Sequence, residues 1–119
     1  GAWTEATAGG SMNNMSWPTN PHFLLSVQGK QPVTTEVVLS QDSGAAATVD
    51  LKAIGFSITP GDENGFPCIS SPADIITKAN YENSRDVAVT VTLQPRENPY
   101  VITPSTFEPG LTGDFTLQV

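Results

Sequence analysis

The stretch VAVTVTL, residues 87–93, alternates large apolar side chains with small or polar ones. Each odd-numbered position from Val87 to Leu93 carries Val or Leu, and each position between them carries Ala or Thr. Successive side chains of a β-strand point to opposite faces of a sheet, so this period of two predicts a strand. Its apolar side is expected to face the core.

Five further segments carry patterns of the same kind, and they are Phe23–Val27, Val33–Ser40, Ile54–Ile58, Tyr100–Thr103 and Phe115–Val119. The first two flank a turn-like stretch at residues 28–32, so they are predicted to pair as a hairpin. Gly55 interrupts the third segment, where a bulge or a close backbone approach is expected. Between Phe66 and Asn83 the prolines break the pattern, and no element is predicted.

The composition agrees with an all-β chain. Ten Gly and ten Pro among 119 residues imply many turns, and frequent Thr, Val and Ile favour strands over helices. No segment of ten or more residues has the spacing of an amphipathic helix. Seven or eight short strands predict an antiparallel β-sandwich, formed by residues 1–119 as a single domain.

Charge narrows the range of partners. Twelve Asp and Glu residues against five Lys and Arg residues give a net charge of −7. Such a chain repels phosphate backbones, which excludes nucleic acid as a partner. Attraction to an anionic membrane needs clustered cations, each worth about 1 kcal/mol, and here no two cations are adjacent in sequence. Direct electrostatic binding to membranes is therefore expected to be negligible.

Catalysis by a cysteine nucleophile would require Cys68 and His22, the only residues of their types. Cys68 stands between Pro67 and Ile69, without the surroundings that lower a thiol pKa. We therefore interpret Cys68 as a packing residue and His22 as a loop residue. A lone cysteine cannot form an internal disulfide, which favours a reducing compartment.

Metal binding has few candidates. One Cys and one His serve zinc poorly, whereas carboxylates in sandwich loops can coordinate calcium. Asp62 and Glu63 are the best local pair, with Asp114 as a third candidate, although their turn lacks the spacing of a calcium loop. Two or three scattered carboxylates predict a dissociation constant of about 0.1 mM or weaker for calcium. No other cofactor is expected.

Four aromatic residues flank the predicted strands, and they are Trp3, Trp17, Tyr81 and Tyr100. Such residues can form an exposed platform that stacks on a sugar, as in sandwich-type glycan-binding modules. Aromatic residues in these positions more often complete a small core. We therefore expect burial and keep glycan binding as an alternative.

The segment PSTFEP at residues 104–109, followed by GDFTL at 113–117, resembles the signature that ends domain III of calpains. Three further stretches agree with that family in order, and they are TAGG at 7–10 with Ser16-Trp17 and Asn20-Pro21, then Ile54-Gly55-Phe56, then Tyr81-x-Asn83-x-Arg85-x-Val87. The resemblance runs from Trp3 to Val119. It implies a C2-like sandwich of eight antiparallel strands.

The resemblance also implies a function. In that family the domain is a non-catalytic module of an intracellular cysteine protease, whose catalytic Cys, His and Asn lie upstream. It packs on the protease core, takes part in calcium-dependent rearrangement and associates with phospholipid. The expected partners are therefore the upstream protease domain of the same chain and other proteins, in the cytoplasm. A freestanding calcium-dependent phospholipid-binding module is the alternative.

Two loops depart from the family pattern. Classical members have an acidic run after the first strand, whereas Gln28–Pro32 has no acid and carries Lys30. They also have a basic run after the second strand, whereas Gln41–Val49 has Asp42 as its only charge. The electrostatic switch between an acidic and a basic loop is therefore not expected to operate here in its familiar form. In this respect the sequence resembles an atypical or protozoan member of the family.

The PSTFEP segment is expected to be a rigid structural turn rather than a binding site. Its two prolines, Pro104 and Pro109, limit backbone freedom. Phe107 is expected to cover the end of the sandwich, so replacing it by Ala should cost on the order of 3 kcal/mol.

Overall fold

We describe the protein from a computed structural model, which covers residues 1–42, 52–67 and 75–119. Within these ranges the chain forms eight strands, and they are β1 (Ala2–Trp3), β2 (Phe23–Leu25), β3 (Val33–Asp42), β4 (Ile54–Pro60), β5 (Thr77–Lys78), β6 (Asp86–Leu93), β7 (Tyr100–Thr106) and β8 (Gly113–Gln118). One 3₁₀ turn, Trp17–Thr19, is the only helical element in the part described.

The strands form two four-stranded sheets in which every pair is antiparallel. The first sheet has the order β1-β8-β3-β6, and the second sheet has the order β2-β7-β4-β5. This arrangement confirms the predicted all-β antiparallel sandwich. The VAVTVTL stretch lies in β6, which pairs with β3 along eight residue pairs from Val33↔Leu93 to Ser40↔Asp86.

The predicted hairpin between the first two segments is wrong. β2 pairs with β7 in the second sheet, whereas β3 pairs with β6 and β8 in the first sheet. The connection at residues 28–32 therefore crosses from one sheet to the other. A sequence pattern of two strands and a short turn does not distinguish these arrangements, because both leave an apolar face on each strand.

The core lies between the sheets. The first sheet contributes Val37, Leu39, Val87, Leu93 and Phe115, and the second contributes Ile54, Phe56, Ile58, Tyr100 and Ile102. Trp3 connects the two sheets, because its ring lies 4.5 Å from that of Phe115 and its Nε1 donates to the Pro104 carbonyl at 3.1 Å. The Gly1 nitrogen donates to the carbonyl of Phe115, which extends the pairing of β1 with β8.

The two sheets differ in how they are buried. Buried and accessible residues alternate along β6, whereas all seven residues of β7 are buried. β4 is likewise buried from Ile54 to Thr59. The second sheet is therefore covered on its outer face as well as on its inner one.

The PSTFEP segment is only partly the turn that the sequence predicts, because β7 extends beyond the expected end at Thr103. Pro104 to Thr106 continue the strand and pair with residues 54–56 of β4, and only residues 107–110 form the turn. Pro104 fits inside this strand because β2 begins at Phe23, opposite Ile102, so among the described residues no strand lies beside this edge of β7 beyond Ile102.

Candidate functional site

The N-terminal loop, residues 4–22, packs over the second sheet and against the turn that follows β7. The Ser11 amide donates to the Phe107 carbonyl at 3.1 Å, and the Gly110 amide donates to the Ala8 carbonyl at 2.7 Å. Gly10 has a φ of 75°, and a Cβ there would lie 2.7 Å from the Pro109 nitrogen. The TAGG and PSTFEP segments thus contact each other, and Gly10 permits the close approach.

Asn20 holds this loop in shape. Its side chain is buried, and its Oδ1 accepts the Gly9 amide at 3.0 Å. Its Nδ2 donates to the carbonyls of Gly10, at 2.8 Å, and Trp17, at 2.9 Å. The Trp17 carbonyl also accepts the Asn20 backbone amide at 3.1 Å, so the Asn20 side chain chiefly supplies partners to the Gly9 amide and the Gly10 carbonyl, which a strand or helix would otherwise satisfy.

His22 fixes the end of the loop to β7. Its Nε2 lies 3.0 Å from the Pro18 carbonyl, and its Nδ1 lies 3.0 Å from the hydroxyl oxygen of Thr103. A carbonyl only accepts, so Nε2 carries the proton and Nδ1 accepts the Thr103 hydroxyl. Both nitrogens are thus engaged in structural bonds, as expected for a loop histidine. Cys68 lies outside the described residues.

Tyr81 covers the outer face of β4 at Gly55. A Cβ on Gly55 would lie 3.0 Å from the Tyr81 ring, and Tyr81 Oη lies 2.6 Å from the Ser105 hydroxyl oxygen. Of the two alternatives at Gly55, close approach is therefore correct, because β4 keeps regular pairing with β7 there. Burial raises the pKa of Tyr81, which the bond to Ser105 partly offsets, so the phenol stays protonated at neutral pH.

Phe107 is not the covered residue that the sequence predicts. Its side chain is 45% exposed and meets the Tyr81 ring edge-on, with ring centroids 5.4 Å apart. The PSTFEP segment therefore presents its aromatic residue at the surface, beside a cavity, instead of closing the end of the sandwich.

That cavity, which we call the β5 pocket, has a volume of about 200 Å³. Tyr81 and Phe107 form aromatic walls, Met12 and Asn13 come from the N-terminal loop, and Lys78 lies at the β5 edge. Ser57 lies directly opposite Lys78 in the β4–β5 pairing, which places both side chains on the same face. None of the lining residues in the described structure is acidic.

The Ser57 hydroxyl is unusual for a buried group. Ser57 is only 3% exposed, and its Oγ has no hydrogen-bond partner among the described residues. Thr59, two residues along the same face of β4, also has a buried hydroxyl without a described partner. Ser57 lines the β5 pocket and Thr59 does not. Most buried polar groups in proteins have a partner, so an orphan hydroxyl on a residue that lines a cavity is a candidate donor to a bound group.

The calcium candidates lie apart. Asp62 Oδ1 accepts the amides of Asn64 and Phe66 at 2.9 and 3.0 Å, so this carboxylate stabilises its own loop after β4. Asp114 lies in β8 of the other sheet. Its neighbour Gly113 lies close to Lys52, because a Cβ on Gly113 would be 3.4 Å from Lys52 Nζ. Lys52 precedes β4, whereas Asp62 and Glu63 follow it. The described part of the chain contains no group of three His, Cys, Asp or Glu residues that could hold a metal ion, and calcium binding stays a prediction.

The four aromatic residues singled out from the sequence do not form a platform. Trp3, Trp17 and Tyr100 are buried in the sandwich or beneath the N-terminal loop, and Tyr81 is partly buried over Gly55. A sugar ring needs exposed aromatic faces, so these four residues favour the expected packing role.

Sequence reasoning missed the β5 pocket because its parts come from four distant segments. Lys78 and Tyr81 fall in the stretch for which no element was predicted, and Ser57 appeared as a polar position within a strand. The available signal was Lys78, one of five cationic residues in a chain of net charge −7. In the ranges the structure covers, no helix has the length and apolar character needed to cross a membrane.

Comparison with known proteins places the chain in one family. The family model described as calpain large subunit, domain III, matches residues 1–119. Calpain-5 of Mus musculus is 33% identical over 131 residues, and calpain-10 of Macaca fascicularis is 31% identical over 125 residues. Serine/threonine-protein kinase 4 homolog B of Dictyostelium discoideum is 31% identical over 124 residues.

Each of these alignments covers 100% of this chain. The aligned part makes up 20% of calpain-5, 19% of calpain-10 and 11% of the kinase homolog. The relatives are thus several times longer than the sequence they share with this chain. The match of the family model along the whole chain, the sandwich fold and the paired TAGG and PSTFEP segments agree, and the chain belongs to the calpain domain III family.

Proposed function

We propose that this chain is a non-catalytic domain of a calpain-like cysteine protease and that it acts by packing against the protease core or against partner proteins. The observation that carries the proposal is the range of relatives. A domain of similar sequence occurs in proteins named as calpains and in one named as a protein kinase homolog. A module common to proteins named for two different chemistries is expected to contribute structure or regulation to both.

The arrangement of the described residues supports this role. His22, the only histidine of the chain, is bonded to Thr103 and Pro18, so it is poorly placed to activate a nucleophile. The polar residues of the N-terminal loop and of β7 bond each other and hold the fold together. A rigid scaffold of this kind suits a domain that presents surfaces to neighbouring domains.

Activity of the chain alone provides the first test. The purified chain is expected not to cleave casein, because His22 is engaged by Thr103 and Pro18 and the sequence around Cys68 lacks the surroundings that lower a thiol pKa. Cleavage that disappears in Cys68→Ser would contradict the non-catalytic role.

Packing against a protease core provides the second test. The coding sequence immediately upstream is expected to encode a papain-like segment with a catalytic Cys, His and Asn. Titration of that segment with this chain in a calorimeter should show saturable binding, since interfaces between domains resemble transient protein interfaces. A protease segment that neither binds the chain nor changes its peptidase rate in its presence would refute the packing role.

A further inference from the structure

We propose that the β5 pocket binds the carboxylate side chain of an acidic peptide segment. This inference rests on the proposed packing role, because it identifies the kind of segment that the domain would hold. Its evidence is independent of that role and consists of the charge, the orphan hydroxyl and the dimensions of the pocket.

Charge is the first argument. The chain carries −7 overall, yet a lysine and no acid line this pocket in the described structure. The Lys78 ammonium makes no hydrogen bond or ion pair with any described residue. The pocket is thus a locally cationic place on an acidic surface, and a carboxylate complements it.

Hydrogen bonding is the second argument. Ser57 Oγ is buried on the pocket wall without a described partner, and an unsatisfied buried hydroxyl is destabilising. A carboxylate in the pocket would accept a hydrogen bond from the Ser57 hydroxyl and pair with Lys78, whose position in the register is directly opposite. One carboxylate has two oxygens and can satisfy both donors.

Size is the third argument. Typical pockets for small molecules occupy roughly 300–1,000 Å³, so a cavity of about 200 Å³ suits a short side chain and one apolar neighbour. Tyr81 and Phe107 supply the apolar walls for that neighbour. An anionic membrane is disfavoured as the occupant, because its many headgroups would face the acidic surface around a single lysine, whereas a peptide places one carboxylate in the pocket. A peptide with a glutamate between leucines has the required chemistry.

Titration of the ¹⁵N-labelled chain with the blocked pentapeptide Ala-Leu-Glu-Leu-Ala tests the proposal by NMR. We expect saturable shifts concentrated at Lys78, Tyr81 and Phe107. A pentapeptide with glutamine in place of glutamate should bind about tenfold more weakly, as expected when a charge-assisted hydrogen bond is lost. Equal binding of the two peptides, or no saturable shift, would overturn the proposal.

Paired variants locate the contact. Lys78→Gln should weaken binding about tenfold, whereas Lys30→Gln, in a turn away from the pocket, should not change it. Ser57→Ala should weaken binding about fivefold while leaving the melting temperature unchanged or higher, because it removes an unsatisfied hydroxyl. Thr59→Val removes the other orphan hydroxyl and should leave binding unchanged. Equal losses in Ser57→Ala and Thr59→Val, or in the two lysine variants, would contradict the assignment.

Two further outcomes separate this inference from the packing role. If the upstream protease segment binds the chain equally well in wild type and in Ser57→Ala, and the pentapeptide does not bind, the pocket assignment fails and the packing role stands. If the pentapeptide binds as expected and the protease segment does not, the packing role fails and the pocket stands. A third outcome concerns lipid. If the chain pellets with phosphatidylserine vesicles and Lys78→Gln abolishes this pelleting, the pocket binds lipid and the peptide proposal is overturned.

Discussion

The outer faces of the two sheets carry similar residues in opposite environments. On the first sheet, Thr34 and Thr92 are exposed, and their hydroxyl oxygens lie 2.8 Å apart at the surface. On the second sheet, Thr103 and Ser105 are fully buried and bond to His22 and Tyr81. The difference arises from cover, because the N-terminal loop and Tyr81 lie over the second sheet only.

The comparison shows that small polar residues on a strand do not mark a solvent-facing side. A hydroxyl beneath a cover needs a partner from that cover, whereas a hydroxyl in water does not. Interactions that hold the cover should therefore contribute far more to stability than equivalent interactions on the bare face. Four predictions test or refine this difference.

Among the residues that form the cover, the largest effect is expected at Asn20. Asn20→Ala removes three buried hydrogen bonds to the backbone of the N-terminal loop and should lower the free energy of unfolding by about 3 kcal/mol. Thr92→Ala removes one exposed hydroxyl pair on the bare face and should change it by less than about 0.5 kcal/mol. Urea denaturation measures both values. Similar losses in the two variants would show that the cover is not held by Asn20.

Phe107 is expected to show an intermediate effect. Full burial would make Phe107→Ala cost about 3–5 kcal/mol, but with 45% of the side chain exposed we expect about 2 kcal/mol. Phe115→Ala, which removes a ring in contact with Trp3 and Phe23, should reach the full value. Equal costs in the two variants, measured by urea denaturation, would mean that Phe107 is buried like the core.

Tyr81→Phe should cost about 1 kcal/mol, because it leaves the buried Ser105 hydroxyl without this partner. The raised pKa of Tyr81 also predicts that the free energy of unfolding depends on pH. Burial raises the pKa of Tyr81 in the folded state, so its stabilising contribution is complete below the ordinary tyrosine pKa of about 10. The contribution is lost as pH rises through the raised value. Stability measured between pH 8 and pH 11, roughly the range that spans this titration, should therefore fall more steeply in wild type than in Tyr81→Phe. Parallel curves would contradict burial of the phenol.

Calcium should have the smallest effect. If the dissociation constant is about 0.1 mM or weaker, then calcium at about 0.1 mM stabilises the chain by no more than about 0.4 kcal/mol. Asp62 lies in the loop after β4, whereas Asp114 lies in β8 of the other sheet, so Asp62→Asn should leave that small effect nearly unchanged. Micromolar affinity that is lost in Asp62→Asn, measured by calorimetry, would show that the two regions cooperate in a site.

Much of the fold was predictable because the first sheet obeys a period of two. Val87 and Leu93 face the core as their spacing predicts, since water lies on the other side of β6. The same reasoning fails on the second sheet. Thr103 and Ser57 have the sequence pattern of solvent-facing positions, but segments distant in sequence cover them. Strand pairing also depends on distant segments, which is why Phe23–Val27 was paired with the wrong strand.

The pairing of β1 with β8 has a consequence for the order of folding. Ala2 and Trp3 are synthesised before every other strand of the first sheet, whereas their partners Gly113 and Asp114 follow β3 and β6 in the chain. The first sheet therefore cannot close until β8 has been synthesised, and the many contacts between distant residues are expected to slow its folding. β8 also lies between β1 and β3, so a proteolytic cut or premature stop before Gly113 would leave β1 with no strand to pair with.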